Sequence, residues 1–196
     1  MSNFTSQQQS IPIIDIGALL HQRTNDEQIL RYNDTIEKIG HACRYIGFFY
    51  ISNHGISLDL INDLFTISRL FFAKPLEYKN QYAMTLGGKA WRGFFPIGDE
   101  FTSGIADQKE GLYFGKQLDS EDPRPLHGPN IYPDISLLSD SSHADISNTK
   151  HMKYIIEEYM LQCTELGKIL IEAIAVSLHL PPEYFKKTFD DPTTCK

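Results

Sequence analysis

The sequence predicts an α+β fold in which amphipathic helices, one of them long, pack on a few short strands. Three observations carry the prediction. Residues His151–Leu180 place Ile155, Ile156, Tyr159, Leu166, Ile169, Leu170 and Ile174 on one broad apolar stripe with helical spacing. Asn25–Tyr45 repeats that spacing at Ile29, Ile36, Ile39 and Cys43. Between the helical stretches lie short apolar runs bounded by Gly, Pro and Asn, which read as strands.

Along the chain, residues 1–10 form a polar arm expected to be disordered. Ile11–Ile16 (IPIIDI) is β-branched with Pro12 at its start, the mark of an edge strand. Gly47 breaks the first helix, and Phe48–Ile51 reads as a buried strand entering the turn Asn53-His54-Gly55. Ser57 is a candidate N-cap, with Asp59 in the first turn, for a helix through Leu60, Leu64, Ile67 and Phe71. Pro75 closes it and opens a short helix with Glu77. From Met84 to Gly115 two strands are expected, around Trp91–Phe95 and Gly111–Phe114, with the loop Gly98–Asp107 between them. Gln117–Asn148 is rich in Pro, Asp and Ser without a period, and so reads as a long surface loop. Pro181-Pro182 ends the long helix, and Pro182 opens a short one over Glu183–Phe189. Helices this apolar need a sheet to lie on, and these strands are too few and too short to supply one. The fold is therefore expected to continue past Lys196, with Ile155, Ile169 and Ile174 left partly uncovered.

Bulk properties narrow the function. With 196 residues, 41% hydrophobic and 22% charged, the chain has an ordinary globular composition. A formal charge of −7 with scattered Lys and Arg argues against a general nucleic-acid binder. Cys43, Cys163 and Cys195 are widely spaced and form no CxxC, which suits a reducing compartment. MSNFTSQQQS lacks the order of a signal peptide, and no apolar run is long enough to span a bilayer. A cytoplasmic protein is expected, with neither nucleic acid nor membrane as partner.

Several motifs, in order, resemble the isopenicillin N synthase-like family of non-haem Fe(II), 2-oxoglutarate-dependent oxygenases. They are IPIIDI at Ile11–Ile16, GFFYISNHGI at Gly47–Ile56, FFAKPLEYKN at Phe71–Asn80, WRGFFPIGDEFTSG at Trp91–Gly104, DQKEGLYFG at Asp107–Gly115, and the long helix with the PPEYF that follows. The resemblance implies a disordered arm over 1–10, a non-haem dioxygenase N-terminal domain over 11–116, and a loop insertion over 117–149. Residues 150–190 would then be a long and a short helix leading to a catalytic jelly roll. The fold implied is an N-terminal helical and strand region with the first strands of an incomplete double-stranded β-helix. In the family, iron sits on two His and one carboxylate, the first pair as HxD on a strand after the long helix. A later His is followed by an Arg that pairs with 2-oxoglutarate. The sequence ends at DPTTCK before any such position, so no catalytic and no metal residue is assigned. Fe(II) and 2-oxoglutarate belong to the intact family, and neither is expected to bind this chain.

Candidate residues divide between chemistry and structure. His143-Ala144-Asp145 spells HxD, but within a Ser- and Asp-rich loop ahead of the long helix, without the rigid neighbours that ligands need. Arg92 precedes Gly93-Phe94-Phe95 on a strand that in the family borders the substrate mouth. It is either a bidentate clamp for a substrate carboxylate or a surface residue paired with Glu100 or Asp99. Tyr113 either faces the same cavity or belongs to the core. Lys109-Glu110 fits ion pairing, Trp91 with Phe94 and Phe95 fits an aromatic core, and His41, His54 and His179 fit structural roles. Gly87-Gly88-Lys89 lacks the spacing and the following Ser or Thr of a phosphate loop. The expected function is the N-terminal part of such an oxygenase, acting on a small organic substrate and catalytically incompetent as it stands. The alternative is a non-catalytic truncated paralogue that associates with a partner or a full-length relative through the uncovered helix face.

Overall fold

The structure is a computed structural model that describes residues 10–137 and 150–189; His143–Asp145 and Cys195 lie outside the described residues. The elements run β1 (Ile13–Asp15), α1 (Asp26–Tyr45), β2 (Tyr50–Ser52), α2 (Leu58–Phe72), α3 (Leu76–Lys79), β3 (Gly93–Phe95), β4 (Phe101–Thr102) and β5 (Ile105–Ala106). They continue as β6 (Gly111–Tyr113), β7 (Ser136–Leu137), β8 (Lys150–His151), α4 (Met152–Ser177) and α5 (Lys186–Phe189). Among the described residues every sheet has two strands: β1–β2, β3–β6, β4–β5 and β7–β8. The chain divides into two compact units, one comprising the residues up to Gly55 with those from Glu165, the other Ile56–Thr164. The two halves of α4 fall in different units.

In the first unit β1 and β2 are parallel, with Ile14 opposite Ile51. Parallel strands need a crossover, and α1 supplies it. The side chain of Asn25 accepts from Gln28 N at 2.9 Å, and Asp26 and Glu27 sit in the first turn where the helix dipole favours them. Ile14, Ile16, Ile36, Ile39 and Ala42 are buried together with Ala173 of α4, and Leu166, Ile169, Leu170 and Ile174 pack against them. Gly40 permits close helix packing, since a Cβ there would lie 2.8 Å from that of Ser177. Phe48–Ile51 is not the buried strand that its composition predicts. The ladder has only two strands and covers one face, so Tyr50 and Ile13 on the other are 61% and 72% exposed.

Asp15 closes this unit's β–turn junction, accepting from Gly17 N at 2.9 Å and from Asn53 Nδ2 at 2.8 Å. These bonds, the one from the Gly17 amide first, hold its carboxyl below the usual aspartate value. A group whose folded value is depressed stabilises the fold above its unfolded pKa of 3.8, and that contribution vanishes as pH falls through the folded value. Thermal melts should therefore show a fall in midpoint below about pH 4 that Asp15→Asn reduces; an identical pH profile for the variant would refute the linkage.

In the second unit, Ser57 precedes α2 but makes no side-chain cap bond. Leu60, Ile67 and Phe71 of α2 bury against Phe94, Phe114, Ile135 and the first half of α4 at Met152, Ile155 and Ile156. Phe71 meets Phe94 edge-on at 5.8 Å, an arrangement that aromatic quadrupoles favour. Of the three long-helix residues expected to be partly uncovered, Ile155 is instead fully buried, while Ile169 and Ile174 are partly buried against the first unit's core. The cover that the helix has comes from α1, α2, Phe94 and Phe114. Large apolar side chains are exposed on this helix at Tyr154 and Leu161, and elsewhere at Ile13, Phe48 and Tyr50 and on the hairpin residues Phe101 and Ile105.

Three further details depart from expectation. Trp91 has a φ of 53°, ends the 3-10 turn Met84–Ala90 and is 59% exposed, so only Phe94 and Phe95 of the predicted aromatic cluster are core. The loop after Gly98 contains the hairpin β4–β5, whose Ser103-Gly104 turn has positive φ at both residues, matching a two-residue hairpin turn. The polar stretch after Gln117 contains β7, which pairs with β8.

Candidate functional site

The site is built on the ribbon in which β3 runs antiparallel to β6, with Gly93 opposite Tyr113 and Phe95 opposite Gly111. Pleating puts Tyr113 on the same face as Phe95, and their rings lie 4.9 Å apart. Phe95 also covers Gly111, where any Cβ would collide with its ring. Phe94 and Leu112 point the other way, into the core. Arg92 stands just before the ladder.

Arg92 is not a surface residue. It is fully buried, at 0% exposure; Nη1 donates to Ala90 O at 2.6 Å and Nη2 to Leu126 O at 3.0 Å. Gly115 has no side chain because one would strike this guanidinium. Tyr113 is buried as well, and its hydroxyl donates to Glu100. Glu100 also receives Lys109 at 2.8 Å, and Asp107 receives it at 3.0 Å; both bonds raise the Lys109 pKa. Glu110 turns instead to Lys79 at 2.6 Å. Lys109 and Glu110 are thus both in ion pairs, each with a different partner.

Beside Arg92 lies a polar cluster that sequence reasoning missed. Tyr132 stacks on Phe114 at 5.3 Å and donates its hydroxyl to Glu157 Oε1 at 3.0 Å. Asn130 Nδ2 donates to the Tyr132 hydroxyl at 3.0 Å and to Gly115 O at 2.7 Å. Burial, and then the charge of Glu157, push the Tyr132 pKa well up, while Asn130 and the positive charge of Arg92 oppose the shift. Tyr132 is therefore a neutral donor at any physiological pH and not a base. The cluster is a hydrogen-bonded bridge from the Asn130 amide through the Tyr132 phenol to the Glu157 carboxylate. A tyrosine inside an otherwise polar loop, next to Pro133, was the available signal; its partner Glu157 is 25 positions away.

The first unit holds a separate open cleft of about 810 Å³, lined by Asp15, Arg31, Asp34 and Lys38 among others. Its charges are largely engaged with one another or with the backbone: Lys38 with Asp34 at 2.6 Å, Asp15 with Gly17 and Asn53, and Arg31 with Glu27 at 2.7 Å. Among the described residues no group of three or more His, Cys, Asp or Glu could hold a metal ion. These residues do not fit an iron site. No described helix is long and apolar enough to cross a membrane.

Comparison with known proteins places this geometry. Residues 11–135 match the family model described as the non-haem dioxygenase in morphine synthesis N-terminal domain. A probable iron/ascorbate oxidoreductase of Dictyostelium discoideum is 39% identical over 194 residues, covering 96% of this chain and 50% of that protein. A homoarginine-6-hydroxylase of Arabidopsis thaliana is 30% identical over 190 residues, covering 93% of this chain and 53% of that protein. Among solved structures, a full-length Neurospora crassa protein in complex with alpha-KG superposes with a TM-score of 0.64 at 25% identity, covering 92% of this chain and 51% of that one. The chain thus spans about half the length of the curated relatives it matches. With the family model matched over most of the chain and motifs from Ile11 to Gly115 in order, the chain belongs to the isopenicillin N synthase-like family of 2-oxoglutarate- and Fe(II)-dependent oxygenases.

Proposed function

We propose that this chain is the N-terminal, substrate-side part of an oxygenase that couples oxidation of a small organic substrate to decarboxylation of 2-oxoglutarate in the cytoplasm. Its residues would shape the pocket, position the substrate and exclude water, while iron and 2-oxoglutarate would supply the oxidising chemistry on ligands outside the described residues. The observation that carries the reading is the match of residues 11–135 to the family's N-terminal domain. The layout 11–116, 117–149 and 150–190 is part of the proposal.

Tyr113 and Arg92 are assigned to the substrate side. Tyr113 contributes wall from the Phe95 face of the ribbon. For Arg92, direct contact with a substrate carboxylate requires its fork to leave the carbonyls of Ala90 and Leu126. Such an exchange trades neutral acceptors for a charged, bidentate one.

The test has two arms. Anaerobic calorimetric titration of residues 1–196 alone should show no site of unit stoichiometry for Fe(II) or 2-oxoglutarate; such a site, lost on His143→Ala, would overturn the assignment. Fusion to the jelly-roll half of a full-length relative should give substrate-dependent succinate formation. In that fusion Arg92→Lys should weaken substrate affinity by about 1.5–3 kcal/mol and leave substrate-free turnover of 2-oxoglutarate intact. A fusion that folds and loads iron, yet never turns over 2-oxoglutarate, would refute the reading. The second reading, a non-catalytic protein acting by association, is favoured by the exposed Ile13, Phe48 and Tyr50. A chain that sediments as a monomer at all concentrations would dispose of it.

A further inference from the structure

Residues 116–130 leave the ribbon and return to it. At the neck, Asn130 Oδ1 accepts from Gly115 N at 2.8 Å while its Nδ2 donates to Gly115 O at 2.7 Å, so one side chain imitates a paired strand. Asn130 N donates to Gln117 Oε1 at 2.9 Å, and Leu118 N donates to Gly128 O at 3.3 Å. At the far end, Leu126 N donates to Lys89 O at 3.1 Å, Lys89 Nζ donates to Asp122 O, and Arg92 Nη2 donates to Leu126 O at 3.0 Å. A surface excursion with a closed neck is a compact Ω-loop, and irregular loops of this length are uncommon unless they have a function.

What holds this loop down is unusual. Within 116–129 only Gly128 is buried, and the apolar Leu118 and Pro129 are no more than partly buried. Its attachment rests on hydrogen bonds, which places it at the low end of local stability. Arg92 is the one fully buried cation among its partners. The contact also carries strain on both sides, because Leu126 has a φ of 62° and Trp91, next to Arg92, a φ of 53°. Bulky residues enter that region only where surrounding structure imposes it, and such strain collects at clamps and switching segments.

We propose that residues 116–130 form a strap that opens and closes on the β3–β6 ribbon as one unit, with Arg92 as its latch and Asn130 as its hinge. Closed, the strap buries the guanidinium and holds Trp91 in its left-handed conformation. Open, it lets Trp91 relax and brings the guanidinium to solvent. Arg92 is on this account a positioning residue. The proposal goes beyond the oxygenase reading and does not depend on it, since it concerns an equilibrium of this chain alone.

Native-state hydrogen exchange on residues 1–196 tests it. In the unaltered protein the amides of Gly115, Leu118, Leu126 and Asn130 should share one opening constant, larger than that of the α2 amides. Arg92→Lys should raise exchange across 116–130 roughly tenfold or more and leave α2 unchanged, because a single ammonium nitrogen cannot reproduce the fork that places one nitrogen at each carbonyl. Trp91 is the only tryptophan in the sequence, so the same variant should shift the intrinsic fluorescence, and Arg92→Ala should recover the original spectrum with millimolar guanidinium ion. Strap amides that exchange only together with α2, or one by one, would overturn the proposal even if no Arg92 variant folds. So would a folded Arg92→Lys protein with unchanged exchange and emission.

Discussion

Gly93→Ala should destabilise the second unit by about 4 kcal/mol, a large fraction of a domain's ordinary stability margin. Two costs combine at this position. Its φ is +118°, where a side chain is strained, and an added Cβ would lie 2.5 Å from Tyr82 O and 3.1 Å from the backbone of Ala83 and Met84. That backbone is held against β3 by a bridge between Ala83 and Phe94, so it cannot retreat without breaking the ribbon's seat on the core. Gly98 is the control, with φ +89° and nothing within 4 Å of an added Cβ. Gly98→Ala should show the conformational cost alone, about 1–2 kcal/mol. Urea unfolding of both variants measures the difference. Equal losses would mean that the close approach at Gly93 relaxes freely, and the ribbon is then less rigid than its geometry implies.

The sequence made the helices legible because their signals are local. The run from Asn25 with Ile36 and Ile39 at helical spacing yields the extent and the buried face of α1. The same holds for Pro75 ahead of α3 and for the stripe that becomes the two halves of α4. What failed depends on partners far along the chain. A charged residue between Trp and Gly reads as surface, and one of the acceptors of the buried Arg92, the carbonyl of Leu126, lies 34 positions on. Trp91 reads as core by composition, but the left-handed turn that ends the Met84–Ala90 segment points it outward. The Asn130–Tyr132–Glu157 bridge was hidden in a segment without period, since periodicity reports packing on elements and not side-chain hydrogen bonds. Local rules therefore recovered the scaffold, while the polar half of the candidate site came only from tertiary contacts.

Lys79→Met should cost about 3 kcal/mol, whereas Lys79→Met combined with Glu110→Leu should cost less than about 1 kcal/mol. Lys79 joins α3 to β6: its Nζ donates to Glu110 Oε2 at 2.6 Å and to Phe72 O at 3.2 Å, and it lies 5.4 Å from the centre of the Phe94 ring. The lysine side chain is 9% exposed and the glutamate 24%. Removing the cation alone strands a largely buried carboxylate and a backbone carbonyl, and each loses its partner without regaining water. Removing both charges replaces the pair with apolar groups, the one at position 79 beside Phe94. Ion pairs at the surface behave differently. Arg31–Glu27, with both side chains more than two-thirds exposed, should contribute under about 0.5 kcal/mol by the same double-mutant cycle. If the Lys79 single and double variants unfold at the same urea concentration, the pair's role is not electrostatic. Lys79 would then hold α3 to the ribbon through its methylene stem and the Phe72 carbonyl alone.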